Sequence, residues 1–301
     1  MIALGLSRGW FDSGSVEGTT SGFEPQEAPK GQESAGSWPE YGFDAERTRA
    51  NPALDLAPPF RREWSHDAGS LLEFPPAIAD GRAIVGTNFG LAMAVDVETG
   101  REIWRTHTRG RVASSPAIDG PRALFTTKRG DVLALDTATG KELWRRQVRS
   151  PVESSPLVVG DSAYIGTLSQ RVLKLDTRTG GVRWSVPAPG GIKASLALSG
   201  PNVIVGDYSG HVVAFRRSDG KQVWSRTSPG ERISGSPSVV GDLVYVSTLA
   251  KRPEEGRTYG LDPRTGGRRF TFDDGRYSPA VGIDGVLVLT GVHTLYGLTP
   301  R

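Results

Sequence analysis

The sequence predicts an all-β chain, a six-bladed β-propeller of four-stranded antiparallel blades closed by an N-terminal strand around Trp64. Three observations carry this. Tryptophan recurs at Trp64, Trp104, Trp144, Trp184 and Trp224, a spacing of forty residues, which is the length of one four-stranded blade. Four of these close copies of one phrase: DVETGREIW (Asp96 to Trp104), DTATGKELW (Asp136 to Trp144), DTRTGGVRW (Asp176 to Trp184) and the weaker RRSDGKQVW (Arg216 to Trp224). A further copy, DPRTGGRRF, arrives six residues late and ends at Phe270. Finally, short apolar runs are punctuated by tight turns, with 39 Gly and 21 Pro in 301 residues, as many short strands require.

Residues 114 to 146 show one unit: PAID, a Gly-Pro turn, ALFTT, a turn at Lys128-Arg129-Gly130, VLALD, the TATGK turn and LWRR. In the last turn Gly140 supplies a positive φ, and Asp136 and Thr139 are placed to bond nearby backbone N–H groups. A small residue sits two positions ahead of the Asp site in most copies (Ala94, Ala134, Ala214, Gly260, Gly297), with Lys174 the exception. Small residues there leave room for an indole between blades, burying roughly 150–250 Å². Its loss costs about 3–5 kcal/mol. Trp64, Trp104, Trp144, Trp184, Trp224 and Phe270 are therefore read as the blade-docking residues.

Blade starts fall at Pro76, Pro116, Pro156, Leu196, Pro237 and Pro279. The sixth copy ends at Arg301 without an aromatic outer strand, and Trp64 has an outer strand with nothing before it. Joined, with Trp64 beside Leu295 to Leu298, they make one blade and leave no open sheet edge.

Residues 1–37 are expected to be a disordered tether, and 38–301 a single propeller domain. The start, MIALGLSRGWF, holds a short apolar run that reads as the stub of an export or anchor segment. Residues 12 to 37 are rich in Gly, Ser, Glu and Pro and bury too little to order. The expected location is extracytoplasmic, with a membrane tether ahead of the propeller, and the expected state is a monomer.

The chain has no Cys, which excludes disulfides, thiolate metal sites and thiol nucleophiles. Its net charge of +3 comes from 36 bases dispersed among 33 acids, which speaks against nucleic acid as a partner. His66, His107, His211 and His293 fall at unrelated phases of the repeat, so no metal cage is expected. No phosphate loop or nucleophile elbow is present. Neither catalytic residues nor a cofactor are expected.

The phrase A-x-D-x-x-T-G-K-x-x-W, as in Ala94 to Trp104 and Ala134 to Trp144, resembles the tryptophan-docking repeat of the pyrroloquinoline-quinone propeller family. Ser37 to Pro52 (SWPEYGFDAERTRANP) resembles the lead-in before the first blade of such proteins. The family includes quinone-dependent dehydrogenases, and non-catalytic members such as the propeller lipoprotein of the outer-membrane β-barrel assembly machinery. The resemblance implies for the dehydrogenases eight blades, a pair of adjacent cysteines and calcium held by Glu, Asn and Asp. This sequence lacks the cysteines, an Asn or Glu cluster on successive inner strands, and two blades. It also lacks the lipid-bearing Cys of the assembly lipoprotein.

The expected function is a non-catalytic scaffold that binds a protein or peptide, with an acidic partner favoured by charge. The alternatives are a quinone-dependent oxidoreductase and a small-ligand or glycan sensor using the channel. Two sets of residues are candidates. Period-2 alternation points three rings toward the channel, the outermost being a mouth formed by Glu73, Ala113, Glu153, Lys193, Ser234 and Arg276, with Glu153 beside Lys193 and Arg276 beside Glu73. The loops entering each inner strand and those joining strands two and three should share a face, where Arg105, His107, Arg109, Arg111, Lys128, Arg129, Arg145, Arg146, Arg149 and Arg171 form a basic sector. An insertion of about five residues falls between Thr248 and Arg257.

Overall fold

The computed structural model describes residues 37–49, 61–228, 231–249 and 256–273, and the backbone of three strands between 281 and 298. The described residues form antiparallel sheets and no helix, so none is long and apolar enough to cross a membrane.

The repeat maps onto the sheets one for one. The first contains β1 (Ala77–Ala79), β2 (Arg82–Gly86), β3 (Leu91–Asp96) and β4 (Glu102–His107). The second contains β5 (Ala117–Asp119), β6 (Arg122–Thr126), β7 (Asp131–Asp136) and β8 (Glu142–Gln147). The third contains β9 (Leu157–Val159), β10 (Ser162–Thr167), β11 (Arg171–Asp176) and β12 (Val182–Pro187). The fourth contains β13 (Ala197–Ser199), β14 (Asn202–Gly206), β15 (His211–Arg216) and β16 (Gln222–Thr227). The fifth contains β17 (Ser238–Val240), β18 (Leu243–Ser247), β19 (Thr258–Leu261) and β20 (Arg268–Phe272). A sixth sheet has three strands, β21 (Val281–Ile283), β22 (Val286–Thr290) and β23 (Leu295–Leu298). Innermost strands touch from sheet to sheet, β1 to β5, β5 to β9, β13 to β17 and β17 to β21.

The repeated phrase is a turn staple. Asp136 Oδ1 accepts from the N–H groups of Ala138 and Thr139 at 3.1 and 2.9 Å and from the Thr139 hydroxyl at 2.8 Å. Asp96 and Asp176 repeat this. Just before each staple the outer pair slips register, as between Ala134 and Leu135. Such a bulge leaves one residue of the outer strand unpaired. This explains why Ile103, Leu143 and Val223 are exposed although each lies beside a docked tryptophan.

Each indole reaches the turn of the next sheet. The ring N–H of Trp104 donates to Thr137 O at 2.9 Å, that of Trp144 to Thr177 O at 2.8 Å and that of Trp224 to Pro263 O at 2.9 Å. The room for the ring comes from the turn glycine of the receiving blade. A Cβ on Gly140 (φ 70°) would lie 2.6 Å from Trp104, and one on Gly180 2.5 Å from Trp144. Ala94 and Ala134 instead face Trp104 and Trp144 across their own sheets. Lys174 takes that place opposite Trp184, and its ammonium donates to Arg217 O at 3.0 Å, the same carbonyl that accepts from Trp184 at 3.2 Å. Apolar clusters fill the seams between sheets, as where Leu157, Tyr164 and Val172 meet Val203 and Phe215.

Trp64 departs from expectation in one respect. Residues 61–68 form no strand, and the described β23 pairs only with β22. The indole nevertheless docks like the others, donating to Val97 O at 2.9 Å with its ring over Gly100. Phe270 lies 6.1 Å from Tyr245, ring to ring, and the turn that would receive it is outside the described residues.

The channel is where expectation and structure part most. The innermost strand of each sheet has a free edge, whose backbone N–H groups need partners. Residues 38–46 run across these edges. Trp38 exchanges two bonds of 2.7 Å with Ile78, Pro39 O accepts from Ile118 N at 2.7 Å, and Glu40 Oε2 from Val158 N at 3.2 Å. Ala45 O then accepts from Leu198 N at 2.7 Å and Glu46 O from Val239 N at 2.9 Å. One segment thus bonds five consecutive sheets. Arg47 is fully buried behind it, donating to Leu196 O at 2.9 Å and Pro156 O at 3.1 Å, and pairing with Glu40 at 3.2 Å. Burial pushes the Glu40 carboxyl up to about 7 against the opposing pull of the Arg47 charge.

Period-2 alternation also points the ring of Ser115, Ser155, Ser195 and Ser236 and the ring of Ala77, Ala117 and Leu157 toward the channel, and the structure places neither ring there. Ser115, Ser155, Ser195 and Ser236 are buried and face the neighbouring sheet, each of the last three accepting the N–H of the residue one blade earlier at 2.9–3.0 Å. Ala77, Ala117 and Leu157 are likewise fully buried. The inner strand is a sheet edge, so its backbone faces the channel and its side chains face adjacent blades.

Candidate partner-binding face

The two loop sets do share a face. Each turn between the second and third strands is bonded to the loop entering its own sheet: Asn88 N to Leu71 O at 3.1 Å, Lys128 N to Arg111 O at 2.9 Å, Leu168 N to Pro151 O at 3.1 Å and Tyr208 N to Gly191 O at 2.9 Å. Thr248 N bonds Arg257 O at 2.9 Å and closes the base of the insertion, whose residues 250–255 lie outside the described ones.

Half of the basic sector is engaged by the fold itself. Arg105 grips Glu102 at 2.6 Å, and Arg145 grips Glu142 at 2.6 Å while donating to Thr108 O. These guanidinium groups hold the Glu102 and Glu142 carboxyls below the usual carboxylate range. Arg171 bonds Ser185 in its own sheet. Arg146 leaves the sector altogether: its Nε donates to Gly180 O at 2.9 Å, in the turn that receives Trp144. Sequence alone could not place Arg171 or Arg146, whose partners lie across a strand and across a blade, whereas Glu102 and Glu142 stand three residues before Arg105 and Arg145 on the same strand.

The mouth residues behave similarly. Glu153 stands between two lysines, Lys128 at 3.3 Å and Lys193 at 3.2 Å, joining three consecutive blades. Burial works against the Lys193 charge, but Glu153 and Tyr208 hold its ammonium above the usual range. Glu73 accepts from Asn88 at 2.9 Å, Ala113 is buried and Ser234 is half-buried. Arg276, and hence its pairing with Glu73, lies outside the described residues.

Arg109, Arg111, Arg129 and Arg149 remain, with His107 exposed beside them. Among the described residues none of these four arginines has a carboxylate within ion-pair distance. Arg109 (φ 61°) and Arg149 (φ 54°) hold left-handed backbone, which costs a non-glycine residue roughly 1 kcal/mol. Arg109, Arg111, Lys128 and Arg129 line an open groove of about 490 Å³ together with Asn88 and Phe89. Phe89 was missed by sequence reading. It occupies the turn position held by Arg129, Ser169 and Ser209 in the next blades and is 81 % exposed. An apolar residue at a polar turn position is the signal that could have found it.

Calcium-quinone chemistry needs several convergent oxygen ligands. Glu40 is instead turned toward Arg47, Glu153 toward Lys128 and Lys193, and Glu73 toward the Asn88 amide. Among the described residues no three His, Asp or Glu side chains are grouped to hold a metal ion. The donors among the described residues do not fit that group.

No curated protein matches the chain in sequence. Among solved structures, BamB from Moraxella catarrhalis superposes with a TM-score of 0.68 at 20 % identity, over 79 % of this chain and 76 % of that one. Quinohemoprotein alcohol dehydrogenase from Comamonas testosteroni gives 0.64 at 15 % identity over 84 % of this chain, which spans only 57 % of the dehydrogenase. The computationally designed Ika8 protein gives 0.65 at 16 % identity, over 76 % of this chain and 71 % of that one. At such identities these likenesses show the fold alone. The family profile of the outer membrane protein assembly factor BamB matches residues 60–194 and 169–300. By that match, which takes in every described sheet, the chain belongs to the BamB-like family of pyrroloquinoline-quinone-type propellers.

Proposed function

We propose that this protein is a non-catalytic, extracytoplasmic scaffold whose six sheets close into one ring, with the Trp64 segment completing the sixth, and which engages a protein partner through its loop face. The observation that carries this reading is the contrast between the inner strand edges and the loop face. The inner strand edges of five sheets are covered by the chain's own residues 38–47, whose polar groups bond to them. The loop face instead exposes Phe89 and arginines that have no carboxylate within ion-pair distance among the described residues. Charged and aromatic groups on loops held by a rigid scaffold suit partner binding. The family's named role in outer-membrane protein assembly supports both a protein partner and the compartment. A membrane tether ahead of the ring, and a monomeric state, complete the proposal.

Photo-crosslinking tests it in the native host. A photoreactive residue at Arg149, on the loop face, should trap a protein. The same residue at Gly120, in the turn between β5 and β6 on the opposite face, should trap none. Trapping only from Gly120 would overturn the reading.

A further inference from the structure

We propose that the groove beside Phe89 is a docking site for an extended acidic segment of a partner protein, one apolar side chain of which seats on the Phe89 ring. This rests on the loop-face reading above and adds the chemistry of what docks there.

Two independent features converge on the groove. The first is apolar. Phe89 is 81 % exposed at the tip of its turn, and Leu71 and Leu72, at 63 % and 47 %, lie in the loop whose Leu71 carbonyl is bonded to Asn88. At the position of Phe89 the next three blades carry Arg129, Ser169 and Ser209, and the Leu168 and Tyr208 of those turns are half-buried. A contiguous exposed apolar patch marks an interaction site more often than a scattered residue does.

The second is charge. Arg109, Arg111 and Arg129 bring three guanidinium groups to the groove with no carboxylate partner among the described residues, and Lys128 shares the single Glu153. Like charges held together repel, and folding alone gives no reason to gather them. Their scaffold is also fixed in advance. The left-handed backbone at Arg109 is pinned by a bond from Arg129 to Arg109 O at 3.2 Å and by Thr108 Oγ1 to Gly110 O at 2.8 Å. Strain held at a charged surface loop fits a preorganised contact. The groove is open along its length, which suits an extended chain with carboxylates on either side of an apolar anchor and not an enclosed small molecule.

The test uses the full chain and fluorescein-labelled twelve-residue peptides of Glu and Ser with a single central Leu, read by anisotropy. Replacing the Leu by Ser should weaken binding about five-fold or more, the scale of a truncated anchor. Phe89→Ser should weaken the Leu peptide similarly and leave the Leu-less peptide unchanged. Arg111→Ser with Arg129→Ser should weaken both peptides and flatten their salt dependence. Thermal melts confirm that each variant is folded. The proposal is overturned if the Leu peptide does not bind, if neither Phe89→Ser nor loss of the Leu changes affinity, or if a twelve-residue oligothymidylate binds more tightly than the peptide. Should these assays fail while crosslinks from Arg149 persist, the partner docks elsewhere on the loop face and only the groove assignment falls. Should both fail, the loop-face reading falls with it.

Discussion

The Ser155 hydroxyl accepts the backbone N–H of Ser115 at 3.0 Å, across the seam between two blades and forty positions apart in the chain. Ser195 and Ser236 continue the series at 2.9 Å each. It stops at Ser115, whose own buried hydroxyl has no partner. The reason is covalent: the residue one blade earlier is Pro75, which has no N–H to give.

Ser115 and Ser155 should therefore respond differently to removal of the hydroxyl. Ser115→Ala removes a buried group that bonds nothing and should leave stability unchanged or raise it slightly. Ser155→Ala leaves the Ser115 N–H buried and unpaired, at a cost of about 1–3 kcal/mol. Denaturant unfolding of the two variants compares them directly. Equal losses would contradict this series of bonds between blades.

The docking glycines give a second contrast. Gly120 (φ 53°) has open space where a Cβ would sit, whereas a Cβ on Gly140 (φ 70°) would meet the Trp104 ring at 2.6 Å. Gly120→Ala should cost about 1 kcal/mol for the left-handed backbone alone. Gly140→Ala adds overpacking of roughly 1–3 kcal/mol. Tryptophan fluorescence during unfolding reports both, and matching midpoints would show that the ring does not depend on the turn glycine.

Deleting residues 1–36 should leave the melting temperature nearly unchanged. Deleting 1–49 removes the segment that bonds Ile78, Ile118, Val158, Leu198 and Val239, freeing five edge N–H groups and the cavity left by Arg47. Part of that loss is recovered because water can reach the freed edges, so a destabilisation of several kcal/mol is expected, not the sum of five bonds. Coincident melts would mean that the segment is an ornament of the channel.

Glu40 gives the chain a pH signature. Its carboxyl shifts from 4.5 in the unfolded reference to about 7 in the fold, chiefly through burial. Between those values the folded state binds more protons than the unfolded one, so this group's contribution to stability falls as pH rises from 4.5 to about 7. Melting temperatures measured from pH 5 to 8 should drop for the wild type relative to Glu40→Gln. Parallel curves for the two proteins would refute the shift.

Much of the architecture was legible because it is repetitive and local. The forty-residue spacing of Trp104, Trp144, Trp184 and Trp224, the Asp-Thr-Gly staples and the punctuating turns each encode a local geometry, and those geometries repeat at the same phase in sheet after sheet. What the tertiary structure decided is everything that depends on a partner across a seam. Arg146 and Arg149 look alike in sequence, yet only the fold sets Arg146 against the Gly180 carbonyl of the next blade, while Arg149 has no carboxylate within ion-pair distance among the described residues. The serines at one phase of the inner strand look like channel lining, yet the strand is a sheet edge and turns its side chains to the neighbouring blade. Residues 38–47 carry no repeat signal at all, because their register is set by the free edges of five sheets distributed along the rest of the chain. Periodicity determines the blade; only the packing of the sheets in space determines what covers their inner edges and which charges the fold itself engages.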